Sequence, residues 1–171
     1  IMDCSGFSQA LSSSCNDPTN IHFVERLIES IESCLTERKL ICIFGNGGSS
    51  ADSQHFAGEL ICTYQDRDRP PIPAISLSSN SSVITAWAND FSYDTVFSRQ
   101  LLAFSGMVGA AIGLSTSGRS PNVVSGLKAA NSINAETFLF SSIRCEDSVA
   151  SNVFKAHSTK TGEIQQIHEY V

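Results

Sequence analysis

The chain has no apolar run long enough to cross a membrane. Its longest, from Met107 to Leu114, is far short of the roughly 20 residues a spanning helix needs. Basic residues are sparse. Lys and Arg number 11 against 17 Asp and Glu, for a net charge of −6. With no basic cluster among them, a nucleic-acid backbone is not an expected partner. The opening residues IMDCSGFSQA lack a basic segment followed by an apolar one, which reads against a secretory signal. The six cysteines, Cys4, Cys15, Cys34, Cys42, Cys62 and Cys145, form no CxxC pair and no regular spacing. That excludes a zinc finger or a disulfide frame and predicts reduced, mostly buried thiols in a cytoplasmic protein.

What is present is an ordinary globular composition, 42% hydrophobic and 16% charged over 171 residues, enough for one domain with a sizeable core. Asn16 to Asn20 is rich in capping and turn residues. Beyond it Val24, Leu27, Ile28, Ile31 and Leu35 recur at helical spacing, so the chain opens with a helical segment over about residues 1–37. Short apolar strands then alternate with helices over about 38–171. Strands are expected at 39–44, 72–77, 109–114 and 137–140, with a fifth at 152–156. Helices are expected at about 50–63, 81–88, 93–104, after 121, and in the tail from Glu163. Asn89-Asp90-Phe91 reads as a turn. The alternation implies α/β architecture, a parallel sheet covered on both faces with an extra helix at the start.

Ligands in such folds gather at the carboxyl ends of the strands. Polar loops follow three of the predicted strands, at 45–50, 78–82 and 115–120. In the third, Ser115, Thr116, Ser117 and Ser120 surround Gly118 just before a helix start. Unpaired N–H groups, hydroxyl donors and a glycine that lets the backbone curl make a phosphate cradle without a lysine. The bland alternative is that Ser117 or Ser120 only caps the helix, with Pro121 in its first turn. The first loop repeats the logic with Gly45, Asn46, Gly47, Gly48 and Ser49. It is no dinucleotide fingerprint, since Ser50 stands where the third glycine belongs, and no Walker A loop, since no Gly-Lys-Ser/Thr follows. Two serine-rich turns on one sheet edge point to a phosphorylated small molecule.

On the helix between them, Asp52, His55 and Glu59 share one face. An imidazole and a carboxylate four apart can hold a metal ion, move a proton, or form a solvated ion pair. Gln165 and His168, three apart on the last helix, carry no signal by themselves.

Taken together, Gly45-Asn46-Gly47-Gly48-Ser49, His55-Phe56-Ala57-x-Glu59-Leu60, Asn89-Asp90-Phe91-x-Tyr93-Asp94-x-x-Phe97-Ser98-Arg99, Leu114-Ser115-Thr116-Ser117-Gly118-x-Ser120-x-Asn122-Val123 and Ile164-Gln165-x-Ile167-His168 resemble the sugar isomerase (SIS) domain family. The likeness runs from about residue 20 onward and is closest to sedoheptulose 7-phosphate isomerases. It implies a three-layer, flavodoxin-like doubly wound domain that assembles as a homotetramer with sites at subunit interfaces. It implies conversion of sedoheptulose 7-phosphate to D-glycero-D-manno-heptose 7-phosphate, toward bacterial heptose-containing glycans. Carried over by position, Gly47, Ser49, Ser115, Thr116, Ser117 and Ser120 would hold the phosphate, and Asn46 and Asp90 the sugar. His55, Glu59 and Gln165 would hold zinc, with Glu59 as catalytic base. The family's arginine four residues after the glutamate is Thr63 here, and its aspartate before the glutamine is Gly162. Its second catalytic histidine would fall two positions beyond Val171. A glycine pair after the fourth strand is replaced by Ile143-Arg144-Cys145-Glu146. The family also includes non-catalytic members that bind phosphosugars or proteins, one a replication-initiation factor, which is the alternative role.

Overall fold

The computed structural model describes residues 4–171. Two helices open the chain where the sequence predicted one: α1 (Cys4–Asn16) and α2 (Pro18–Glu37). The break between them is chemical. Asp17 caps α2 by accepting a hydrogen bond from Thr19 N–H at 2.8 Å, and Pro18 supplies the first helical residue, a position where its missing donor is not needed. The predicted helical segment over 1–37 thus holds as two helices, the first carrying few apolar residues, Phe7, Ala10 and Leu11, each only partly buried.

The core follows as β1 (Leu40–Gly45), α3 (Gly48–Ile61), β2 (Ala74–Ser76), α4 (Ser81–Asp90), a short 3-10 turn (Tyr93–Thr95), α5 (Val96–Ala103), β3 (Val108–Leu114), α6 (Pro121–Ser132), β4 (Glu136–Ser142), β5 (Asn152–Ala156) and α7 (Thr161–Tyr170). Asn89 and Asp90 belong to the last turn of α4 rather than to a free turn, and the bend comes at Phe91.

All strands run parallel in the order β2-β1-β3-β4-β5, the doubly wound flavodoxin-like arrangement. One face of the sheet carries α1, α2, α3 and α7 over a core of Phe23, Ile41, Ile43, Ile112, Phe138, Phe154 and Ile164. Phe23 sits edge-on to Phe138, Phe140 and Phe154. The other face carries α4, α5 and α6 over Phe44, Leu77, Phe97, Leu101, Leu127 and Leu139. Strands buried on both faces explain the unbroken apolar runs in the sequence.

The sheet edge at β5 is covered by side chains. The amide of Asn20 accepts from Lys155 N–H at 2.9 Å and donates to Lys155 O at 3.0 Å, as a neighbouring strand would. His157 N–H donates to Ser14 Oγ, and the His157 ring pairs with Asp17 at 2.8 Å. Such cover removes an edge that would otherwise pair with another chain.

The cysteines depart from expectation. Cys34, Cys42 and Cys145 are buried, but Cys4, Cys15 and Cys62 are exposed. Burial pushes the Cys34 and Cys42 thiols up to about 11 and about 12, so both stay uncharged and act as packing groups.

Candidate functional site

Gly45, the last residue of β1, lies opposite Leu114, the last of β3. The turn at 46–47 and the loop at 115–120 therefore leave the sheet side by side. The loop after β2 joins them. Ser78 Oγ donates to Gly45 O at 3.0 Å and accepts from Gly45 N–H at 3.3 Å. All three predicted loops thus meet at one place on the carboxyl edge. Gly47 (φ +59°) turns the chain into α3 with no side-chain cap on the helix start, and Ser49 is buried behind it.

The 115–120 loop is built to present hydroxyls. Ser115 and Ser120 face each other with Oγ atoms 3.0 Å apart. Gly118 (φ +69°) bends the backbone so that its N–H reaches Ser115 O at 2.9 Å. Ser117 Oγ accepts from Arg119 N–H, and Ser142 Oγ donates to Thr116 O from below. Pro121 starts α6, yet Ser120 makes no side-chain cap to it. Capping by Ser117 or Ser120 is not what the structure adopts: Val123 N–H in the first turn of α6 is taken instead by the side chain of Asn122 at 3.0 Å.

Along α3, Gly48, Asp52, His55 and Glu59 form one face. His55 Nε2 is 3.3 Å from Glu59 Oε1 and His55 Nδ1 is 3.7 Å from Glu169 Oε1 on α7. The α7 helix lies alongside. The amide of Gln165 packs so closely on Gly48 that a Cβ there would sit 2.5 Å from Nε2. Asp52 lies in the same cavity with one carboxylate oxygen, Oδ2, buried and unpartnered. Burial first, and then the nearby Glu169 charge, hold the Asp52 carboxyl above the usual carboxylate range. Sequence reasoning missed Glu169, although it stands four residues after Gln165 and so on the same helical face.

The comparisons agree with this arrangement. The SIS domain pattern matches residues 10–142. The "Probable phosphoheptose isomerase" of Thermoplasma acidophilum is 40% identical over 151 residues, 87% of this chain and 82% of its own length. The phosphoheptose isomerase of Aquifex aeolicus is 39% identical over 140 residues, 81% of this chain and 73% of its own. The structure of phosphoheptose isomerase from Neisseria gonorrhoeae superposes with a TM-score of 0.83 at 27% identity, covering 97% of this chain and 88% of that one. The chain belongs to the SIS-domain family, among the phosphoheptose isomerases.

Within this SIS domain the predicted residues fall into two groups. Asn46, Gly47, Ser49, Ser115, Thr116, Ser117 and Ser120 gather at the cradle. His55 and Glu59 line a separate cavity of about 400 Å³ with Asp52, Tyr64, Arg69, His168 and Glu169. Glu59 stands ten residues beyond Ser49 on α3, a rise of roughly 15 Å. Gln165 touches the start of α3, at the cradle end. Asp90 is exposed, takes a hydrogen bond from Asn89 Nδ2 at 2.8 Å, and makes none to the other predicted site residues.

Three further positions acquire roles. Thr63 does not supply the arginine of the resemblance. Instead Arg69 reaches back from the far end of the 62–73 loop, donating to Leu60 O at 2.8 Å and to the carbonyl of Glu59, and so ties down the last turn of α3. Cys145, where a glycine pair was expected, packs its sulfur beneath Gly118. His168, which carried no signal in the sequence, is buried, its Nε2–H donating to Ser141 O at 2.7 Å. Burial drives its pKa down to about 4.

Proposed function

We propose that this chain is a ketose–aldose isomerase that converts sedoheptulose 7-phosphate to D-glycero-D-manno-heptose 7-phosphate, supplying heptose for glycan precursors. The observation that carries the reading is the pairing of a lysine-free hydroxyl cradle at the sheet edge with a His55–Glu59 pair on the helix that starts at that cradle.

Isomerisation removes a proton from a carbon beside a carbonyl and returns it to the neighbouring carbon through an enediolate. Glu59 is the base, held by the Arg69 clamp on its carbonyl and by the His55 contact at 3.3 Å. The cradle fixes the phosphate end and leaves the carbonyl end free to meet the base.

Zinc fits two of the side chains. A separation of 3.3 Å between His55 Nε2 and Glu59 Oε1 is the edge of a tetrahedron with zinc–ligand bonds of about 2.0–2.1 Å. Among the described residues no three His, Cys, Asp or Glu side chains converge on a metal position, and Gln165 of the same chain rests on Gly48 at the other end of α3, so a third ligand is a water or a group from another copy, its Gln165 amide included. Bound there, zinc would polarise the substrate carbonyl.

Ser49 and Glu59 stand at the two ends of α3, with a rise of roughly 15 Å between them. The reading therefore includes a homo-oligomer, a tetramer, in which His55 and Glu59 of one copy serve the cradle of another. Exposed Tyr64, Tyr170 and Val171 line the cavity around the pair and supply apolar surface for such an interface. The reading includes action in the cytoplasm; among the described residues no helix is long and apolar enough to cross a membrane.

The test is turnover of sedoheptulose 7-phosphate by the full chain, followed by NMR of the aldose product. Glu59→Gln is expected to lower the rate by about 10²–10⁴ while leaving phosphate binding intact, and His55→Ala to weaken zinc binding in competition with a chelator. Sugar-phosphate binding without turnover, unchanged in Glu59→Gln, would instead mark a non-catalytic binding module.

A further inference from the structure

Between the two serine loops lies a hydrogen-bond chain with a fixed direction. Val123 N–H donates to Asn122 Oδ1 at 3.0 Å. A backbone N–H is only a donor, so the atom it meets is the amide oxygen and the orientation of Asn122 is set. Asn122 is buried and pairs face to face with Asn46. Asn46 Nδ2 donates to Asn122 Oδ1 at 2.8 Å, and Asn122 Nδ2 donates to Asn46 Oδ1 at 2.8 Å. The orientation of Asn46 follows. Tyr93 OH also lies 2.8 Å from Asn46 Oδ1, an oxygen that can only accept. The phenol proton therefore points at Asn46.

The remaining valences can be counted. Both lone pairs of Asn46 Oδ1 are used, by Asn122 and Tyr93. One Nδ2 hydrogen is used by Asn122 and one is free. The Tyr93 oxygen has spent its proton and keeps acceptor capacity, and the residue is 48% exposed. Beside the phosphate cradle the chain thus presents one N–H donor and one acceptor oxygen, in fixed positions.

We infer that Tyr93 is a specificity-determining residue whose oxygen reads one hydroxyl group of the bound sugar. With its own proton committed to Asn46, that oxygen can only accept, so a sugar hydroxyl can bond to it and a carbonyl or ether oxygen cannot. The free Asn46 N–H lies on the opposite flank of the amide and donates to a second sugar oxygen. This rests on the sugar-phosphate reading of the cradle and adds which substrate group is sensed and by which atoms.

The experiment is calorimetric binding of sedoheptulose 7-phosphate and, separately, of inorganic phosphate to the full chain and to Tyr93→Phe, with steady-state kinetics on both. The substitution removes one exposed hydroxyl and leaves the buried amide pair intact, so the fold is retained. The expected result is sugar-phosphate affinity weakened about three- to tenfold, the worth of one hydrogen bond. KM should rise to match, kcat should hold within twofold, and inorganic phosphate affinity should not change. Equal sugar-phosphate affinity in the two proteins would overturn the inference. So would a parallel loss of inorganic phosphate binding, which would make Tyr93 a prop for the cradle. Selective loss of sugar affinity in a protein that shows no turnover would uphold the inference while removing the isomerase reading.

Discussion

At the scale of single residues, the chain uses environment to separate chemically similar groups. Two histidines illustrate this. His55 is 59% exposed at its side chain between two carboxylates, where it can bind or exchange. His168 is enclosed by Phe140 and Phe154 and held as a neutral donor to Ser141 O. Its ordinary value near 6.5 falls to about 4 because burial penalises the imidazolium. The sign for stability follows. Below the unfolded value the unfolded chain binds a proton that the folded chain refuses, so stability drops as pH falls from about 6.5 to about 4 and is flat above. The expected loss is at most roughly 3 kcal/mol, from 1.36 kcal/mol per pH unit. NMR titration of the His168 ring is expected to show no protonation above pH 5, and unfolding midpoints measured across that window should fall with it. A titration near 6.5 would show that the ring is not enclosed.

At the scale of elements, the contact between α3 and α7 joins the two halves of the site. Gln165 rests on Gly48 and Glu169 on His55, so the helices are in register along their functional faces. Gly48 is fully helical, and its value here is the absence of a side chain. In Gly48→Ala the methyl would meet the far end of a flexible Gln165 side chain. That side chain can swing away, so the substitution is expected to leave the melting temperature nearly unchanged, since Ala is the better helix former. Activity should fall by tenfold or more, because a shift of about 1 Å in a positioned group can cost 10²-fold. A large loss of stability with activity retained would show that Gln165 serves packing alone.

At the scale of the whole molecule, the serine loops and Glu59 occupy different ends of α3, and under the proposed function oligomerisation is the expected remedy. Two inactive proteins offer a direct check. One carries Glu59→Gln with an intact cradle. The other carries Ser115→Ala and Ser117→Ala with an intact base. Dissociated and reassembled together, they should regain a fraction of wild-type turnover, because some sites would combine a good cradle with a good base. No recovery from mixed assemblies, verified as mixed by mass, would place both groups of each site on one chain. The same scale governs acid behaviour. Asp17, whose carboxyl is held low by the Thr19 N–H and by His157, locks the α1–α2 junction to the end of β5. Its contribution is present above the ordinary carboxylate range and lost as pH falls through its lowered value, adding to the effect of His168.

The sequence by itself determined the alternation of strands and helices, because apolar runs bounded by polar turns leave few other packings for a chain of this size. It also determined the cradle, since hydroxyl and glycine loops after buried strands have a chemical meaning that needs no coordinates. The break between α1 and α2 was hidden because the apolar face of α1 is sparse, and Asp90 was misread as a turn because the α4 pattern fades before its last residues. Tertiary structure alone decided which groups meet. The pairing of Gly45 with Leu114 brought distant loops together, and the rise of α3 carried Glu59 away from them. Arg69 meets the carbonyls at the end of α3 because the loop after the helix folds back on it, a contact no spacing along the helix contains. The direction of the Tyr93 hydrogen bond came from a backbone N–H some 30 residues away in sequence. Local patterns fix which elements form, but long-range contacts depend on register and helical rise, which no short stretch of sequence contains.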